Sequence, residues 1–415
     1  MSRRDLLWAL SLYGTAIGAG VLFLPIKMGS GGLIPLVMMV ILAFPVIFLS
    51  HRALCRFVLS SDVGSDDITV VAQKYFGSIG GMIITILYFF AIFPVLLIYT
   101  VGITNTLDSF VVHQMHMNSP NRLLLSFILV AILIFIVSFG QEVIVKVMSV
   151  LVVPFIIVLM MIALSLIPEW NTDLFKNVNF SWSQDIKSLW LLLPVMVFAF
   201  NHSCIISSLA VYSKEKYGNN ADAKSSKIIA TSNVLMIVTV MFFVFSFMMC
   251  LSLDDFRVAQ KENISILSLV ANIADRFDNP IFKVIAPVLV YVAPMIAFVA
   301  MWKAFIGHYL GAQEGFNQIL FKISNHKISP SIAKKITISL TFIIAWFASY
   351  MNPQILGMID KFVGPILAII LFIIPLIAIY SFDELKKYKK PLQNLFILIF
   401  GLLTISAAIY SIIYN

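Results

Sequence analysis

Three short stretches of this sequence place polar groups where apolar neighbours leave them little to bond. In YGTAIGAGVLFLP, Tyr13 to Pro25, three glycines and Thr15 interrupt an apolar run. In FAFNHSCIISS, Phe200 is followed by Asn201, His202 and Ser203. In PMIAFVAMWKAFIGHYLG, Lys303 stands inside a long apolar segment. Glycine weakens a helix interior by roughly 1 kcal/mol relative to alanine, and successive helical positions differ by about 100°, so three adjacent polar side chains cannot share one partner. An unwound segment accommodates both features. A helix broken inside a membrane frees backbone groups, with N–H groups at one half-end suited to a carboxylate and carbonyls at the other suited to an ammonium. The chemistry implied is recognition of a zwitterion by backbone. Simple close packing of helices is the competing account of the glycines. For His202 the alternatives are an interhelical hydrogen bond and a proton relay. For Lys303 they are a functional intramembrane charge, a snorkelling side chain and a static ion pair.

The elements that must position these residues are helices in lipid. The chain is 60% hydrophobic and 12% charged with mean hydropathy +0.99, which makes it an all-α polytopic membrane protein, because lipid offers no partner to loose backbone groups. Apolar runs place about eleven spans near 6–26, 32–50, 80–107, 123–140, 143–167, 187–212, 228–252, 280–310, 333–350, 356–380 and 392–413. With the N-terminus cytoplasmic, 18 of the 28 lysines and arginines fall on the inner side, nine on the outer, and Lys303 within a span. That bias puts the C-terminus outside. It also accounts for the formal charge of +8 through anionic lipid, without nucleic acid. The whole of 1–415 reads as one transmembrane domain. Two five-span blocks, about 6–167 and 187–380, enter from opposite sides because five is odd, and the span at 392–413 is additional. The two polar interruptions then fall in the leading helix of each block, the arrangement that points to a transporter's binding site. The basic N-terminus imitates a signal peptide, but its apolar run continues through Leu24 and reads as a span. Cys55, Cys204 and Cys250 have no metal-like or paired spacing. No motif suggests an enzyme, a metal or a cofactor. Two connecting pieces are expected to be helical: DDITVVAQKYFG (66–77) along the inner face and NISILSLVANIADRF (263–277) over the outer face. Glu142 and Lys146 read as a surface pair or an inner gate, Tyr88 and Tyr99 as pocket or packing residues, and His308 as interfacial.

The segments SLYGTAIGAGVLFLPI, FNHSCIISSLAVY, KIIATSNVLMIVTVMFFVFS, ENISILS, KAFIGHYLGAQEGFN and NPQILGMI resemble those of bacterial serine and threonine permeases. These form part of the hydroxy and aromatic amino acid permease family, within the amino acid–polyamine–organocation superfamily. The resemblance runs from about Leu6 to Tyr410. It implies a five-plus-five inverted repeat plus one helix, discontinuous first and sixth helices, and proton-coupled import of L-serine across a bacterial inner membrane. Threonine or a broader hydroxy amino acid range is the alternative, an aromatic amino acid the more distant one, and the protein is a monomer or dimer. By position it implies a substrate site of Thr15, Ala16, Ile17, Gly18, Ala19, Gly20, Phe200, Asn201, His202 and Ser203. Thr15, Asn201, His202 and Ser203 are the candidates for the substrate hydroxyl. Sodium-coupled relatives hold a cation between the first and eighth helices, and the resemblance puts the Lys303 ammonium in that volume.

Overall fold

The computed structural model describes residues 1–29, 31–61, 67–138, 141–171, 175, 181–325 and 327–414, with the side chains of all but 141–152 and 281. Every regular element among them is helical. The first, α1 (Arg3–Ala16), begins at a capping box in which Ser2 and Asp5 bond each other's backbone N–H. It stops at Ile17, whose backbone is extended (ψ 103°), and α2 (Ala19–Gly29) continues at an angle of 56°. Then come α3 (Leu33–Leu59), α4 (Ile68–His113), α5 (Arg122–Ser138) and α6 (Gln141–Ser165). Within α4 the backbone of Gly77 is left-handed (φ 71°), which separates the short helix starting at Ile68 from the span proper. This is the helical piece the sequence suggests for 66–77.

The second half opens with α7 (Trp182–Ala199), a break, and α8 (Ile206–Tyr217), followed by α9 (Ala221–Cys250). Two short helices follow, α10 (Leu253–Glu262), which is not anticipated from the sequence, and α11 (Ile266–Asn272), which lies in the 263–277 piece expected to be helical and whose residues Ile266 to Ala271 are all buried. At ~1.5 Å per residue, the 44 residues of α12 (Pro280–Ile323) run far beyond a bilayer's hydrocarbon. The chain ends with α13 (Pro330–Met351), α14 (Ile355–Ser381) and α15 (Pro391–Tyr414). Two wide π turns, Ile359–Val363 and Ile369–Ile373, interrupt α14. Pro365 and Pro375 lie just beyond them. A proline ring collides with the carbonyl four residues back and offers no N–H, and a widened turn relieves both problems.

Among the described residues, seven helical runs are long and apolar enough to cross a membrane, or eight with α1 and α2 as one bent span. One of these runs, Trp182–Cys250, contains both the break and the turn at 218–220, and α5 and the end of α6 are shorter apolar helices. Every span expected from hydropathy overlaps a helix, but α3, α4 and α12 are longer than expected. Hydropathy marks the part of a helix suited to lipid and is silent about its amphipathic continuation. Inside the bundle α12 packs on α4 and α6, α9 on α3 and α1, and α2 on α7.

Candidate functional site at two helix breaks

The first break needs two residues. Ile17 donates its N–H to Tyr13 O at 3.1 Å and Leu22 donates to Gly18 O at 3.2 Å, so each half-helix closes on its own side of the gap. The flanking residues from Leu12 to Ile26 are buried. Thr15 directs its hydroxyl to Ser11 O at 2.9 Å. Ala16, Ile17 and Ala19 present apolar side chains. The glycines here permit close approach. A Cβ on Gly20 would lie 2.6 Å from the Ala199 Cα, and one on Gly18 would lie 2.7 Å from the Ala304 Cβ and 2.8 Å from Tyr99 Cε1. Thus Gly20 brings the first break against the residue where α7 ends, and Gly18 brings it against α4 and the α12 residue next to Lys303. The packing reading of these glycines therefore holds, and the same contacts bring the first break against the end of α7, α4 and α12.

The second break is longer. Phe200 ends α7, donating to Met196 O, and His202 has φ −135° and ψ 24°, outside the helical region. Ser203 begins a single 3₁₀ turn to Ile205, and its N–H is capped by Asn201 Oδ1 at 3.1 Å. The His202 N–H donates to Nε2 of His51 at 3.3 Å, and the two imidazoles stack with centroids 3.7 Å apart and planes 17° apart. All four residues from Phe200 to Ser203 are buried. On three consecutive residues, Asn201 Nδ2, His202 Nε2 and Ser203 Oγ have no hydrogen-bond partner among the described residues. They comprise an amide donor, an imidazole nitrogen and a hydroxyl, a set matched to a small ligand that both donates and accepts.

Lys303 is fully buried, its Nζ has no hydrogen-bond partner among the described residues, and the ammonium sits 5.0 Å from the centroid of the Phe155 ring on α6. Its complete burial does not fit snorkelling, and among the described residues it has no ion-pair partner. Its side chain meets α6, while its neighbour Ala304 meets Gly18. His308 is the one expectation here that fails. It is buried, its Nδ1 lies 2.9 Å from Ala304 O, and Tyr99 meets its ring edge-on. Because α12 continues to Ile323, His308 is mid-helix rather than interfacial. Tyr99 packs on Gly18, and Tyr88 is buried with an unpartnered hydroxyl. The side chains of Glu142 and Lys146 lie outside the described residues.

Sequence reasoning missed His51. Ending the second span at residue 50 left it in a loop, yet α3 continues to Leu59 and buries it. The signal available was the apolar sequence ALC and FVL resuming on either side of Arg56.

Comparisons agree with this architecture. Residues 3–413 match the model of the tryptophan/tyrosine permease family. The serine transporter SdaC of Escherichia coli is 48% identical over 418 residues, covering 99% of this chain and 95% of that protein. The threonine/serine transporter TdcC of Escherichia fergusonii is 42% identical over 425 residues, covering 99% and 96%. Among solved structures, a manganese transporter of Eremococcus coleocola superposes with a TM-score of 0.67 at 13% identity, over 98% of this chain and 86% of that one. MHP1, a nucleobase-cation-symport-1 family transporter in a closed conformation, gives 0.57 at 14% identity over 98% and 92%. These two likenesses show the fold, and a family match that extends over nearly the whole chain means that this protein is a permease rather than an enzyme and belongs to the tryptophan/tyrosine permease family.

Proposed function

We propose that this chain is a secondary active importer that carries L-serine with protons across a bacterial inner membrane by alternating access. The observation that carries the reading is the set of unpartnered buried polar atoms on Asn201, His202 and Ser203. Each such group costs ~1–3 kcal/mol when left unbonded, so three cost about 3–9 kcal/mol. A ligand with a hydroxyl, an amine and a carboxylate offsets that cost. Serine has all three within a small volume, and the close approaches at Gly18 and Gly20 leave no generous space at the first break. The serine relative at 48% identity supports the same substrate. Threonine is the second reading, favoured by the threonine/serine relative at 42% identity. One methyl separates the two substrates, worth about 1–3 kcal/mol in a pocket.

In this proposal the chain crosses the membrane eleven times, with α1–α2 and α7–α8 each forming one broken span. Residues 6–167 and 187–380 are the inverted repeats, the N-terminus is cytoplasmic and the C-terminus periplasmic. The breaks hold the substrate with Thr15, Ala16, Ile17, Gly18, Ala19, Gly20, Phe200, Asn201, His202 and Ser203, and the Lys303 ammonium takes the place of a coupling cation.

The test is uptake of labelled L-serine by proteoliposomes under an imposed pH gradient, with competition by threonine, alanine, cysteine and tryptophan. Serine and then threonine are expected to compete best, and alanine poorly, because a site built to bond a hydroxyl rejects analogues lacking one. Asn201→Ala is expected to reduce serine binding at least tenfold, about 1.4 kcal/mol. Alanine competing as well as serine, or unimpaired binding by Asn201→Ala, overturns the assignment of the substrate to the break.

A further inference from the structure

The unwound segment between α7 and α8 is held by a histidine from a different helix, and the hydrogen bonds fix where the protons of both rings lie. His51 Nδ1 is 2.9 Å from Ile47 O. A carbonyl only accepts, so this nitrogen carries hydrogen and Nε2 is a lone pair. That lone pair accepts the His202 backbone N–H at 3.3 Å. His202 Nδ1 is 3.0 Å from Phe200 O and by the same argument carries hydrogen. Its own Nε2 is therefore a buried lone pair, and it has no partner among the described residues.

We propose that His51 and His202 form a one-proton site built into the break, in which His202 Nε2 takes the proton and His51 is the positioning residue. The inference deepens the preceding section, since it rests on the break being the substrate site. His51 can be protonated at Nε2 only by giving up the His202 N–H. His202 Nε2 can be protonated without breaking any hydrogen bond. Two imidazolium rings at 3.7 Å would repel, so the pair holds one proton at a time. The protonated Nε2–H becomes a charged donor for an oxygen of the zwitterionic substrate. Proton and substrate then favour each other's binding by the same factor, which is the thermodynamic requirement of symport. Release of substrate leaves the imidazolium without its acceptor, and the proton departs with the lone pair restored on Nε2.

Charged groups on the elements packed around the pair are engaged with other partners. Arg56 of α3 bonds Asp222 of α9 at 2.8 and 2.9 Å, and Arg52 lies over the Phe48 ring. Lys216 of α8 meets Asp5, Asp360 of α14 pairs with Lys27, Glu314 of α12 faces Asp67, and Lys303 lies over Phe155. Cys204 is the nearest thiol in the chain, two residues from His202. The ionisable group facing each ring directly is the other ring.

The experiment is calorimetric titration of the purified full-length transporter with L-serine at stepped pH, in buffers of differing ionisation enthalpy. Wild type is expected to take up close to one proton per serine where the site is unprotonated beforehand. Its affinity there should rise about tenfold per unit fall in pH, the slope of a one-proton linkage. His202→Gln is expected to flatten that dependence. His51→Gln, whose amide oxygen can take the His202 N–H, is expected to bind serine measurably with the midpoint displaced by about one pH unit or more. His51→Leu, which has no acceptor, is expected to lose at least tenfold in affinity. A His51→Gln profile superimposable on wild type overturns the proposal, whether or not His51→Leu folds. Loss of binding in Asn201→Ala beside an unshifted His51→Gln leaves the substrate site standing and removes only the role of His51, whereas unimpaired Asn201→Ala removes the site itself.

Discussion

A buried ammonium whose close partner among the described residues is an aromatic ring is kept at a cost. Moving a charge out of water costs several kcal/mol even after relaxation, and the Phe155 ring returns about 2 kcal/mol at best. Desolvation wins, so Lys303→Met, of similar length and apolar, is expected to raise the melting temperature of the purified transporter while abolishing serine accumulation under a pH gradient. Lys303→Arg tests the charge by itself, since guanidinium does not deprotonate. Unchanged accumulation in Lys303→Met would remove the residue from the coupling mechanism. The glycines make a second residue-scale case. Gly18→Ala meets the Ala304 Cβ at 2.7 Å and the Tyr99 ring at 2.8 Å, whereas Gly20→Ala meets the Ala199 backbone at 2.6 Å. Each is expected to destabilise by ~1–3 kcal/mol, as overpacking does. Adding Ala304→Gly should recover part of the loss for Gly18→Ala and none for Gly20→Ala, because backbone cannot be trimmed. Thermal unfolding of the singles and doubles separates the cases, and equal behaviour in both would contradict the packing described.

At the scale of elements, the capped short helix α10 offers a pH test away from the long apolar helices. Partial burial pushes the Asp255 carboxyl up, but hydrogen bonds from Arg276 and Ser252 outweigh it and hold the group below the ordinary carboxylate range. Arg276 Nη1 lies 2.7 Å away and the Ser252 N–H 2.9 Å. A carboxyl depressed in the folded state stabilises above its unfolded value of ~3.9 and loses that contribution as pH falls through its folded value. Arg276 is more than half exposed, so solvent screening limits the ion pair to about 1 kcal/mol or less. Asp255→Asn is expected to lower the melting temperature at pH 7 by a margin that holds down to about pH 4 and shrinks below it, and a margin that stays constant into that acidic range would place the effect elsewhere. The sequence made the two breaks legible because glycine and consecutive polar residues cannot serve an unbroken helix in lipid. The π turns in α14 were less legible: Pro365 and Pro375 signal a disturbed helix, but only the surrounding packing decides between a kink and a widened turn. The setting of His51 was hidden for a related reason. Its role depends on His202, 151 residues away, and no local period reports that contact.

For the whole molecule, the broken first span is tied at opposite ends to different parts of the second half. At the start of α1, Asp5 accepts hydrogen bonds from Tyr217 at 2.5 Å and Tyr212 at 3.1 Å on α8. Towards the end of α2, Lys27 pairs with Asp360 at 2.5 Å within the first π turn of α14. Both ties join the first repeat proposed above to the second. Which tie faces the cytoplasm follows from topology, and topology follows from charge. In the proposed topology an odd number of crossings puts the termini on opposite sides, and the division of 18 basic residues from nine predicts that the N-terminus is inside. The lysine-rich turn Asp383–Tyr388 before α15 then lies inside and the end of α15 outside. A reporter enzyme that folds only outside the cytoplasm is expected to be active when fused after Asn415 and silent when fused after Lys387. The opposite pattern would reverse the molecule in the membrane, and equal activity at both sites would mean that α15 does not cross. In either case the Asp5 tie could no longer be assigned to the cytoplasmic side of an eleven-span transporter.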